Sequence, residues 1–150
     1  VIGLVSFIFK SAKEGFYASV PILATIAVLY GVMGFTGIPL NVVTVLVASV
    51  AMGIGIDYSI HFIAHFSSAL KEGDDVEHAI KHTVLGSGKA ILINFISVSA
   101  GFLVLAFSDF MPMVYFGILI ALSMLGASMG ALTLLPAMLV LSKKNKKNAL

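Results

Sequence analysis

The sequence predicts an all-α membrane protein, a polytopic bundle of four complete transmembrane helices plus the truncated end of a fifth. Three observations carry that reading. Hydrophobic residues make up 59% of the 150 residues and charged ones only 11%, where a soluble domain carries about 25% charged residues. The apolar residues fall in four runs, over about residues 19–38, 40–66, 90–107 and 113–141. Each is near the roughly 20 residues that cross the hydrocarbon as a helix. The third observation is that the cationic side chains, nine lysines, sit in alternate connections between those runs.

The opening stretch, residues 1–9, is apolar but too short to cross. It has neither a basic region ahead of it nor a small-residue cleavage site, so it reads as the end of a helix rather than a signal peptide. Lys10 and Lys13 follow it, Lys71, Lys81 and Lys89 flank or fall in the middle connection, and Lys143, Lys144, Lys146 and Lys147 lie in the basic tail 142–150. The other two connections hold no lysine and a single charge, Asp109. Lysine excess marks the cytoplasmic side, which places the C-terminus in the cytoplasm of a cell whose inner membrane the chain spans. Gly34, Gly37 and Pro39 punctuate the first outer turn and Ser108, Asp109 and Pro112 the second.

The inner loop, 67–88, is longer and predicts a short cytoplasmic amphipathic helix. Asp74 and Glu77 have capping-box spacing, and Val76, Ile80 and Val84 follow at helical intervals. Glu72, Asp74, Asp75, Glu77, His78 and Lys81 then form its solvated face. In the last span, Gly126 and Gly130 bracket a run of small residues suited to close helix packing. Lys89 lies just inside the third span, from which its long stem can reach the interface.

The chain has no cysteine, so disulfides, thiolate nucleophiles and cysteine-ligated metals are excluded. Basic residues are not gathered on a face that would read nucleic acid. The stretch from Thr83 to Ala90 lacks the first Gly and the Ser or Thr after the Lys that a phosphate loop needs. No nucleophile, metal or cofactor motif supports an enzyme, and no cofactor is expected.

Asp57 is the one acidic residue inside an apolar run. An ionised carboxylate at mid-membrane costs about 3 kcal/mol on insertion scales, so it is expected to face protein or water and is a functional candidate by default. Either it carries a proton or it hydrogen-bonds a neighbouring helix without titrating. Gly53, Asp57, His61 and His65 follow at i, i+4 steps and share one helix face, which is expected to look into the bundle. Gly53 leaves room beside the carboxylate for a helix or for water. His61 is a candidate extension of a proton path, since imidazole titrates near neutrality. His61 and His65 also suit the headgroup region, His65 more so. Three ligands spread over about 12 Å of helix axis cannot hold one metal, so no metal is expected. Tyr58 can offer its phenol to a carboxylate across the bundle. Asn94 and Ser97 share a face of the third span, and are either partners of the Asp57 stripe or plain helix contacts.

The stretch from Gly53 through Asp57, Tyr58 and His61 to Phe62 resembles the G-x-x-x-D-Y element of permeases of the resistance-nodulation-division superfamily. The hydrophobe-exporter and mycobacterial membrane protein large branch is the nearest in pattern. Sterol-sensing modules carry a similar element. The stretches Gly86 to Asn94, Gly101 to Leu105, Phe116 to Leu122 and Leu134 to Met138 are similar to the last helices of the same exporters. The resemblance implies the C-terminal half of a twelve-helix transmembrane domain. It implies Asp57 and Tyr58 in a proton relay opposite the N-terminal half of the same transporter, and export of a hydrophobic or lipidic substrate driven by proton influx. Membrane lipid and further copies of the transporter are the other expected partners. No intramembrane lysine accompanies Asp57 on its helix, unlike in the drug-efflux members. A lipid-sensing module and a scaffold without transport are the competing readings.

Overall fold

The computed structural model describes residues 12–147 except residue 74, with side chains from 15 to 141. The expected partial helix 1–9, Asp74 and the side chains of the tail 142–150 lie outside the described residues. Four helices follow one another: α1 (Ala12–Thr36), α2 (Val42–Lys71), α3 (Val76–Leu103) and α4 (Met111–Lys147). All four are long and apolar enough to cross a membrane. The chain is a multi-pass helical membrane protein, and every regular element among the described residues is helical.

The turns follow local chemistry. Gly37 ends α1 with φ +71°, a left-handed conformation that glycine adopts without a Cβ penalty. The Ile38 N–H then donates to the Met33 carbonyl at 3.0 Å, which caps a free carbonyl of the last turn. Asn41 starts α2 with a reciprocal cap. Its side-chain oxygen accepts from the Thr44 N–H at 3.0 Å, and the Thr44 hydroxyl accepts from the Asn41 N–H at 2.8 Å. Gly73, with φ +100°, turns the chain between α2 and α3. A 3-10 turn, Val104–Phe107, closes α3 before the second short connection.

One expectation needs correction. The amphipathic segment after residue 74 is not a separate surface helix, because α3 runs unbroken from Val76 into the span. Neither Gly86 nor Gly88 interrupts it, since a single glycine costs a helix only about 1 kcal/mol. Its N-cap is Asp75, whose side chain makes no capping hydrogen bond.

Helix α4 is the centre of the bundle: it packs on α1, α2 and α3, and α2 also touches α1 and α3. In lipid no hydrophobic force drives helices together, so close approach through small residues matters most. A Cβ placed on Gly126 would lie 3.1 Å from Thr25 Cγ2, and one on Gly130 would lie 3.0 Å from Pro21 Cβ. The run between them is therefore the α1 contact that its composition predicts. Gly55 lies against Ala127 in the same way, at 3.3 Å. Pro21 has no N–H for the helix ladder, and the Thr25 hydroxyl donates to its carbonyl at 2.8 Å.

Two core clusters result. One, toward the lysine-bearing end, gathers Tyr58, Phe62, Ile63, Phe66, Ile91 and Leu135. The other gathers Leu29, Met33, Val47, Leu119, Ile120 and Met124 toward the opposite end. Helix α3 is the least covered: 11% of its most apolar stretch is buried, against 56% for α4. Much of α3 is thus free to meet lipid or another helical unit.

Candidate functional site

Asp57 is the sixteenth of the thirty residues of α2, near its midpoint. The Gly53, Asp57, His61 and His65 stripe is a single face, as its spacing requires, but it does not look into the bundle of this chain. All four residues are exposed on the surface of the unit. The physical reason lies on the other side of α2. Tyr58, Phe62, Ile63 and Phe66 are the large apolar side chains, and their burial against α4 and α3 turns the small and polar stripe outward.

Asp57 and Tyr58 therefore diverge. Tyr58 is 1% exposed, and its hydroxyl donates to Met124 Sδ of α4 at 3.9 Å. A thioether is a weak acceptor for a buried phenol. Asp57 makes no side-chain hydrogen bond to another described residue.

Between α2 and α3 is a cleft of about 290 Å³ lined by Tyr58, His61, His65, Gly86, Ser87, Ala90, Ile91 and Asn94. Three of the sequence-derived candidates, Tyr58, His61 and Asn94, meet there. Asp57 is one turn from His61 on the same face but is not part of the lining. Gly53 stands farther along the stripe, and a Cβ placed on it would meet no other part of the described residues within 4 Å beyond its own helix turn. Ser97 is exposed on α3 outside the cleft. Neither Asn94 nor Ser97 hydrogen-bonds to Asp57 among the described residues.

Sequence reasoning misses Gly86 and Ser87. The signal for them is the series Gly86, Ala90, Asn94 at i, i+4 steps, a small and polar stripe on an otherwise apolar helix. No three His, Cys, Asp or Glu side chains converge to hold a metal among the described residues.

The described residues thus form a helical membrane unit with a carboxyl near the middle of one span. The comparisons with known proteins agree, and the chain belongs to the MMPL family, whose pattern it matches over residues 16–148. It is 28% identical over 137 residues to a membrane protein of Methanocaldococcus jannaschii, covering 91% of this chain and 35% of that protein. It is 27% identical over 115 residues to the sulfolipid-1 exporter MmpL8 of Mycobacterium tuberculosis, covering 76% of this chain and 11% of the exporter. The protein patched homolog 2 of Homo sapiens is 34% identical over 114 residues, covering 74% of this chain and 9% of that protein. The chain thus spans about a third of the archaeal relative and about a tenth of the other two. No solved structure matches it.

Proposed function

We propose that this chain is the C-terminal transmembrane half of a proton-driven exporter of hydrophobic or lipidic substrates across the cytoplasmic membrane. In this reading Asp57, with Tyr58 and His61, carries the proton. The observation behind it is the position of Asp57: mid-span, on an outward face, with no partner among the described residues. A charge at that depth is not tolerated against lipid. A second helical unit therefore covers this face, and Gly53, Asn94 and Ser97 are the small and polar residues that let its helices approach.

The N-terminal half of the same protein is the natural occupant, since every relative named above is far longer than this chain. MmpL8 is by name an exporter of a sulfolipid, which supports a lipidic substrate class here. Covered by its partner, the Asp57 carboxyl is shut off from lipid and can load a proton from one side and release it to the other. Proton movement is then tied to substrate movement because the same two halves close around both.

Asp57→Asn in the intact protein tests the reading. Asn keeps the size and much of the hydrogen-bonding capacity of a protonated Asp but has no proton to release. The expected result is normal insertion and thermal stability, with proton-coupled export lost and a carboxyl band missing from the infrared difference spectrum. Wild-type export by a well-expressed variant sinks the relay and leaves the lipid-sensing or the scaffold reading in its place.

A further inference from the structure

The cleft between α2 and α3 has polar groups that the relay as stated leaves unused. Ser87 is 5% exposed, lines the cleft, and its hydroxyl has no hydrogen-bond partner among the described residues. One turn earlier on the same helix, the Thr83 hydroxyl donates to the Ala79 carbonyl at 2.7 Å, the usual solution for a helical hydroxyl. Ser59 and Ser99 also lack a partner, but neither lines the cleft. Ser87 shares it with two imidazoles, an amide and a phenol.

A buried hydroxyl without a partner costs about 1–3 kcal/mol. Water removes that cost where two to four polar groups can hold it in enough space. Both conditions are met. The ≈ 290 Å³ cleft has room for several waters at about 30 Å³ each, and His61, His65, Ser87 and Asn94 supply donors and acceptors. Gly86 keeps the mouth open, since a Cβ there would stand 3.9 Å from His65 Nδ1 and a longer side chain would enter the cleft.

The order of these residues along the helices gives the cleft a direction. On α2, which ends at Lys71, His61 is about 6 Å and His65 about 12 Å from Asp57 along the axis, each step leading toward the lysine-bearing end. On α3, which starts at Val76, Gly86 and Ser87 come before Asn94 and so lie nearer that same end. The titratable groups lining the cleft are Tyr58, His61 and His65, all from α2. From α3 the lining polar groups are the uncharged Ser87 and Asn94, and α4 presents Met124 to Tyr58 and no titratable group to the lining.

We propose that this cleft is a hydrated proton passage joining Asp57 to the lysine-bearing side, with His65 and Ser87 at its mouth and His61 at its inner end. The proposal rests on the reading of Asp57 as the proton carrier. The step balances as a relay. A proton leaves the Asp57 carboxyl for one ring nitrogen of His61, which releases its own from the other nitrogen to water. The water chain held by Ser87 and Asn94 delivers it to His65 and then to bulk solvent. Ser87 and Gly86 are positioning residues: one anchors the water and the other leaves it space.

Thiol accessibility in the intact protein tests the passage apart from the relay. Ser87→Cys, the same size as Ser, is expected to react with a small membrane-impermeant methanethiosulfonate added from the lysine-bearing side. Ser99→Cys, equally buried but away from the cleft, is expected to stay at least about tenfold slower. Adding Gly86→Val to Ser87→Cys is expected to slow the labelling by about tenfold, and Gly86→Val alone to slow proton-coupled export by as much, with substrate affinity unchanged. His65→Gln is expected to shift the pH dependence of export without altering thermal stability. A thiol at position 87 as inert as the one at position 99 overturns the passage and means that lipid or partner side chains fill the cleft. A reactive thiol at position 87 together with wild-type export in both Gly86→Val and His65→Gln overturns it as well, because the wet cleft then carries no proton. Neither result touches Asp57→Asn, so loss of the passage and loss of the carrier are told apart.

Discussion

Asp57 and Tyr58 are neighbours in sequence and point to different sides of α2. The phenol is buried against Met124 Sδ at 3.9 Å, while the carboxyl lies on the exposed face of the unit. Successive helix residues are about 100° apart, so this separation follows from 3.6 residues per turn. The pair therefore links two environments: Tyr58 senses the packing of α2 on α4, and Asp57 meets whatever covers the outer face. A shift of α4 against α2 changes the acceptor that the phenol has among the described residues, and Tyr58 also lines the cleft that holds His61.

Tyr58→Phe separates those roles. Phe keeps the ring in the core, and the lost O–H to sulfur contact is weak, so stability should change by less than about 1 kcal/mol. On the proposed relay, export should nevertheless fall, because the variant removes a hydroxyl from the cleft that holds His61. Thermal unfolding measured beside export checks this. Unchanged export would make Tyr58 a packing residue.

Gly117 identifies a second constraint, at the opposite end of the bundle. A Cβ there would stand 2.5 Å from the Phe102 carbonyl oxygen and 2.9 Å from Leu105 Cβ, so α4 and the end of α3 approach too closely for any side chain. Phe102 and Phe116 pack edge to face beside it, with ring centroids 6.0 Å apart. Gly117→Ala must displace backbone and should cost about 1–3 kcal/mol, the usual range for overpacking. A lower thermal midpoint with unchanged topology is the expected result. A midpoint equal to wild type would show that the two ends separate freely.

Two other glycines should respond in opposite ways. Gly130 packs on Pro21, whereas a Cβ on Gly53 would meet nothing within 4 Å on the other described elements. Gly130→Leu should therefore weaken the unit itself by prising α1 from α4. On the proposed pairing, Gly53→Leu should leave the unit intact and weaken its hold on the N-terminal half. Co-purification of the two halves expressed as separate chains reads the difference. Retained pairing in Gly53→Leu would mean that the outer face of α2 is not the contact.

The spans were legible because apolar run length is set by the hydrocarbon, but that same rule does not mark where a helix stops. Helix α2 continues past residue 66 to Lys71, and α3 begins at Val76 rather than residue 90, because charged residues in water propagate a helix as well as apolar ones in lipid. Asp57 was legible as an outlier in composition. Its direction was not, since helices apolar on nearly every side carry little amphipathic signal to orient them. Only the burial of Tyr58, Phe62, Ile63 and Phe66 together settles which way the stripe faces. The cleft escaped for a related reason: Ser87 and His65 are far apart in sequence, and neither reveals its neighbour without the packing of α2 on α3.

Charge predicts the direction of the whole bundle. The connection after α1 is short and turns at Gly37, and the one after α3 turns at Ser108, where the N–H donates to the Leu105 carbonyl at 3.1 Å. Neither turn holds a lysine. Lys71 ends α2 and Lys81 lies in the second turn of α3, beside their junction, and Lys143, Lys144, Lys146 and Lys147 fall in the last turns of α4. Lysine-rich ends stay on the cytoplasmic side during insertion, so the α2–α3 junction is predicted to be inside and Gly37 and Asp109 outside. Single cysteines at Lys81 and Asp109 test this with an impermeant thiol reagent. In intact cells Asp109→Cys should label and Lys81→Cys should not, and the pattern should reverse in inverted vesicles. The passage from Asp57 through His61 to His65 would then open to the cytoplasm, the side to which an inward proton gradient delivers. Labelling of Lys81→Cys alone in intact cells would invert the topology and with it the direction of proton flow.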